Sequence, residues 1–161
     1  MKSSLIAAAL LLVVLGFALA FLPRRAALRG VVLAASLVVV GAVLPRVAAS
    51  LAFAGTWASL SVAALAVYWP GLVRRWPWLG WALPAIAGLW AGLLAGQGTG
   101  LATAAQVLPA LLAAVPAAWS IARGWALVPR VVTSWLLAVA LLMGAIPYLV
   151  DHPGYVADHR I

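Results

Sequence analysis

Two Asp-His pairs close the 161-residue chain: Asp151-His152 and Asp158-His159. They hold every acidic residue and every histidine of the sequence. Two imidazoles and two carboxylates offer the N and O donors that bind zinc or copper. A helix would carry His152 and His159 on one face. Pro153-Gly154 lies between them and breaks such a helix. The spacing matches no diagnostic ligand pattern, so a solvated terminus is the simpler expectation.

The rest of the chain is as informative for what it lacks. From Met1 to Val150 there is no Asp, Glu or His, and cysteine is absent throughout. Disulfides, thiolate metal sites and cysteine nucleophiles are thereby excluded. So are carboxylate or histidine relays before residue 151, the usual route for protons through a membrane. Neither an enzyme nor a bound cofactor is expected.

Composition explains why these groups are confined to the end. Hydrophobic residues make up 68% of the chain and charged residues 7%. Soluble domains carry roughly half and roughly a quarter. A chain of this size cannot hide so much apolar surface from water. In lipid, helices close their backbone hydrogen bonds within each segment, and buried charges are costly. The expected fold is therefore all-α, a polytopic membrane bundle over 1–150 followed by a short polar tail over 151–161. The net charge of +8 does not mark a nucleic-acid surface, because the arginines are scattered between apolar runs.

Six spans are expected, near 4–22, 30–49, 52–69, 79–96, 101–122 and 131–150. Turn chemistry separates them at Pro23-Arg24-Arg25, Trp69-Pro70-Gly71, Gly96 to Gly100 and Arg123-Gly124. The boundary between the second and third is weak, with Pro45-Arg46 and Ser50 as its only marks. A turn nearer Gly55, or five spans with one long bent helix, is the alternative. The first segment resembles a signal peptide, with Lys2 ahead of an apolar run and Ala18-Leu19-Ala20 near its end. Its apolar run is long, and Arg24, Arg25 and Arg29 follow at once, so an uncleaved span is expected.

The basic residues then sort by side. Arg24, Arg25, Arg29, Arg74, Arg75, Arg123 and Arg130 follow the odd-numbered spans, against Lys2, Arg46 and Arg160 opposite. Cytoplasmic loops carry the excess of Lys and Arg. Both termini are thus expected on the periplasmic face of a bacterial inner membrane.

Three constellations suggest packing or binding. Gly88, Gly92, Gly96 and Gly100 repeat at intervals of four, a flat groove for close helix contact. That contact could be with a second copy, a partner membrane protein or a neighbouring span. Thr99, Ala102, Gln106, Pro109, Ala113, Pro116 and Ser120 step alternately by three and four along one face. This polar stripe reads either as a solute path or as an inner packing face with Gln106 bonded across helices. Pro109 and Pro116 would each free a carbonyl one turn back.

Finally, Trp69, Trp76, Trp78 and Trp81 crowd around Arg74 and Arg75. Tryptophan settles at headgroup depth, and arginine can hold lipid phosphate with two parallel bonds. Arg74, Arg75, Trp76, Trp78 and Trp81 are therefore candidate headgroup contacts, for anionic lipid or within an ordinary aromatic belt.

The leading functional expectation is a non-catalytic subunit, scaffold or accessory of a membrane assembly, as a homo-oligomer or beside a partner membrane protein. The alternative is a transport or lipid-handling component for an uncharged or anionic solute or lipid.

Overall fold

A computed structural model describes residues 2–44, 47–98 and 100–150. All regular structure among them is helical. In chain order come α1 (Lys2–Ala20), α2 (Arg24–Val43), α3 (Ala49–Tyr68), α4 (Pro70–Arg75), α5 (Leu79–Gly96) and α6 (Leu101–Val107). A 3-10 stretch over Leu108–Ala113, α7 (Ala114–Ala122) and α8 (Leu127–Val150) complete the chain. Four segments are long and apolar enough to cross a membrane: α2, α3, α5 and the run Leu101–Ala122. At 1.5 Å per residue each is about 30 Å long, the thickness of a hydrocarbon core. The apolar runs Leu5–Ala20 and Leu127–Leu142 are shorter.

Local chemistry sets the boundaries. Pro23 caps α2 with an extended backbone (φ −55°, ψ 140°), so the helix starts at Arg24 rather than near residue 30. Arg24, Arg25 and Arg29 thus ride on its first turns and not in a loop. Leu44 precedes Pro45, whose ring drives the preceding residue out of the helical region. Leu44 accordingly turns extended (φ −62°, ψ 155°) and closes α2. The turn into α3 lies there and not near Gly55, which sits inside α3. The helix α3 ends before Pro70, which opens α4 at a position where its missing N–H costs nothing.

The centre of the bundle is α1. Ala8, Leu11, Leu12, Val14, Leu15 and Leu19 are each at most 1% exposed. A helix apolar on all sides has no face to turn to water, and it becomes the core. It packs against α3, α5, α7, α8 and the 3-10 stretch. Gly16 admits the junction of that stretch with α7 closely: a Cβ there would lie 2.9 Å from the Ala114 nitrogen and 3.3 Å from the Leu111 oxygen. The outer surface is apolar too, with Leu28, Val43, Leu112, Val115 and Val131 all more than 60% exposed.

The ends of the bundle are chemically distinct. Gln97 Nε2 donates to the Val47 carbonyl at 2.8 Å, tying the end of α5 to the α2–α3 connection. At the other end, Tyr68 OH donates to the Arg130 carbonyl at 3.2 Å. The Arg130 guanidinium stands over the Phe21 ring at 5.9 Å. The close of α1, the close of α3 and the start of α8 therefore meet. Short connections add the starts of α2 and α5, all of α4 and the close of α7. Every arginine from Arg24 to Arg130, except Arg46 outside the described residues, belongs to this arginine end.

Candidate functional site

The glycine register of α5 lies against α2. A Cβ on Gly88 would lie 2.6 Å from the Ala34 carbonyl oxygen, and one on Gly92 2.4 Å from that of Val38. Gly96 is looser, 3.2 Å from the Ala42 oxygen, and Gly100 stands 3.7 Å from the same atom. Gly41 of α2 returns the fit, 2.7 Å from the Leu89 oxygen. Each step of four on α5 meets a step of four on α2 in the same sense, so the two helices run parallel. Gly100 has a second role: its φ of +62° starts the turn into α6, a conformation glycine adopts without strain.

Two contacts reinforce this region. Trp90 lies flat on Gly55 of α3, where a Cβ would overlap its indole ring. Thr56 Oγ1 donates back to the Ala52 carbonyl at 2.7 Å, as a hydroxyl buried in a helix does.

The stripe on α6 and α7 does not form the expected inner face. Ala102, Gln106, Pro109 and Pro116 are exposed, and of the described stripe residues only Ser120 is buried. Thr99 lies outside the described residues. Thr103, Ala104, Val107 and Leu111 are the buried set. The face turned to the bundle is thus offset from the stripe, and it mixes large and small residues. The 3-10 stretch also advances 120° per residue rather than 100°, so a spacing of three and four no longer holds one face. Among the described residues Gln106 has no side-chain hydrogen-bond partner across helices. Ser120 Oγ bonds to the Ala117 carbonyl at 2.8 Å.

The arginine end is rimmed by aromatics. Trp69, Trp76, Trp78, Trp81, Trp119, Trp125 and Trp135 are between 48% and 68% exposed. Trp76 and Trp78 meet at 5.9 Å with their rings tilted by 40°, beside the exposed Arg75. Arg74 shares the short helix α4.

The α7–α8 turn falls at Arg123-Gly124, where turn chemistry was expected; the groove beside it was not foreseen. The backbone of the turn is a Schellman motif: Trp125 N–H donates to the Ser120 carbonyl at 2.9 Å and Gly124 N–H to that of Ile121 at 3.0 Å. Gly124 takes φ +82° to allow it. Beside this turn a groove of about 370 Å³ opens between α1, α7 and α8. Phe17, Trp119, Trp125, Val128, Pro129 and Val132 line it. The Arg123 guanidinium lies 3.9 Å over the Trp119 ring, which meets Trp125 edge-on at 6.1 Å. Arg130 Nε is shielded from solvent and has no hydrogen-bond partner among the described residues. A second groove, about 440 Å³, lies between α3 and α8 beside Tyr68 and Trp69.

No group of three or more metal-ligating side chains occurs among the described residues. The quartet Asp151, His152, Asp158 and His159 lies outside them. Comparison with family models, curated proteins and solved structures finds no match.

Proposed function

We propose that the chain is a six-span protein of a bacterial inner membrane, acting as a non-catalytic subunit, scaffold or accessory of a membrane assembly. The spans are α1, α2, α3, α5, the run from α6 to α7, and α8. The parallel run of α2 and α5 supports this count over five, because helices two spans apart cross in the same direction. The clustering of arginines at one end supports a cytoplasmic arginine end and periplasmic termini.

The glycine face of α5 is spent on α2, so the partner surface must lie elsewhere. Gln106 carries this reading. It is exposed on α6, roughly 8 Å along the axis from Leu101, with no hydrogen bond from its side chain to another described residue. An amide in hydrocarbon favours a hydrogen-bonding partner across helices. Small Ala102, Ala105 and Pro109 beside it would let a second helix approach. A photocrosslinker placed at Gln106 in native membranes tests the reading. Capture of a second polypeptide, a copy or another membrane protein, is expected. Capture of lipid alone would overturn it.

The lipid-handling alternative draws on the arginine end, where Arg74, Arg75, Trp76, Trp78 and Trp81 would meet headgroups. Loss of co-purifying anionic lipid in the double variant Arg74→Ala/Arg75→Ala, followed by native mass spectrometry, would favour it. Unchanged lipid would remove it.

A further inference from the structure

We infer that Arg25 and Arg29, on the outward face of α2, hold the phosphate of an anionic phospholipid whose acyl chains lie along the apolar strip beneath them. The site rests on the reading of the arginine end as a headgroup face. It is separate from the α4 cluster and from the partner surface at Gln106.

Helix spacing builds the site. Arg25, Arg29, Val32, Ser36, Val39 and Val43 step alternately by four and three along α2, and all are exposed. Such steps keep one helix face together. The opposite face, with Ala34 and Val38, is spent on α5. Of the four long apolar segments, α2 is the least buried.

The charge on this face is uncompensated. Like charges one helical turn apart are near neighbours and repel. Arg24 adds a third cation, at the end of the helix whose dipole is itself positive. The first turn of α2 holds no acid, and Pro23 supplies no side-chain cap. The chain has no carboxylate before Asp151. Among the described residues Arg24, Arg25 and Arg29 have no hydrogen-bond or ion-pair partner. The counter-ion must therefore come from outside the chain. A phosphate diester offers two free oxygens, and arginine binds them with short charge-assisted bonds. A zwitterionic headgroup brings its own cation to the trio, so net negative charge is favoured.

The strip below selects a lipid over a free anion. From Arg29 to Val39 the face descends roughly 15 Å, half the hydrocarbon thickness and so the depth of one leaflet. Its one hydroxyl, Ser36 Oγ, donates back to the Val32 carbonyl at 2.9 Å, which leaves the strip apolar toward an acyl chain.

Thermal unfolding of the full chain in mixed micelles tests the site. Wild type should unfold roughly 5 °C higher with phosphatidylglycerol than with phosphatidylcholine, the scale of one charge-assisted hydrogen bond in a chain of this length. The double variant Arg25→Gln/Arg29→Gln should lose most of that gain. In lipid-free neutral detergent the same variant should be at least as stable as wild type, because it removes a like-charge pair that has no counter-ion there. Arg74→Gln/Arg75→Gln, at the α4 cluster, should keep most of the gain. Inorganic phosphate without lipid should not reproduce it. Equal midpoints for wild type in the two lipids would overturn the inference, and that comparison needs no variant to fold. So would a full gain from inorganic phosphate alone, or a lower midpoint of the Arg25/Arg29 variant in neutral detergent. Equal loss in the two double variants would also overturn it, and loss confined to the Arg74/Arg75 variant would do so in favour of the α4 cluster.

Discussion

The α2–α5 pair and the α7–α8 pair represent opposite solutions to the same problem. Both bring two helices together in a setting where burying apolar surface against protein gains little over burying it in lipid. The first pair removes side chains, so that backbone meets backbone along Gly88, Gly92 and Gly41. The second keeps tryptophan, proline and arginine, and the helices stand apart around a groove. Close contact needs small residues in register on both helices. Where they are missing, the space is left to other molecules.

The contrast predicts a ladder of effects on reversible unfolding in mixed micelles. The largest is expected for Gly92→Leu, which drives a branched side chain into the Val38 backbone and should cost more than about 3 kcal/mol, the upper end of overpacking. Alanine replacements grade the same contact. Gly92→Ala should cost about 2 kcal/mol, Gly88→Ala slightly less and Gly96→Ala least, following their approaches of 2.4, 2.6 and 3.2 Å. Equal costs at the three positions would break the contrast.

Leu15→Ala removes packing at the centre of α1 and should cost about 2 kcal/mol through the cavity it leaves. In the loose pair, Gly124→Ala meets no neighbour within 4 Å, yet holds φ +82°. Its expected cost is about 1 kcal/mol, all of it backbone strain. The smallest effect is expected for Gln106→Leu, within about 0.5 kcal/mol, since surface substitutions away from such features change little. Any large loss there in the isolated chain would mean that Gln106 is bonded inside the bundle.

Much of this arrangement was legible in the residues. The fourth segment, 79–96, coincides with α5, because Trp78 and Gly96-Gln97-Gly98 bracket one unbroken apolar run. The glycine interval marked the close contact, but its partner was hidden. Ala34, Val38, Gly41 and Ala42 are small residues at helical spacing on α2, a weaker signal in an alanine-rich chain. Arg24, Arg25 and Arg29 suggested a loop because charge was weighed over helix propensity. Arginine and alanine propagate a helix well once Pro23 starts it.

The stripe through Gln106 misled for a different reason. Its spacing assumed a continuous α-helix, and the 3-10 stretch that contains Pro109 breaks that assumption. The central place of α1 follows from its lack of a polar face, yet the same lack suits a lipid-exposed helix or a signal segment. Only packing separates these readings. The groove depends on the geometry of Gly124 and on the angle at which α8 leaves the turn, and no residue pattern encodes that angle openly.

The two-ended arrangement underlies both proposed surfaces, and the chain's lack of cysteine makes it directly testable. Trp78→Cys and Leu101→Cys variants place single thiols at exposed positions on opposite ends. In intact cells, a membrane-impermeant maleimide should label Leu101→Cys from the periplasm and reach Trp78→Cys only after the membrane is opened. Labelling of both from the same side would contradict the arrangement.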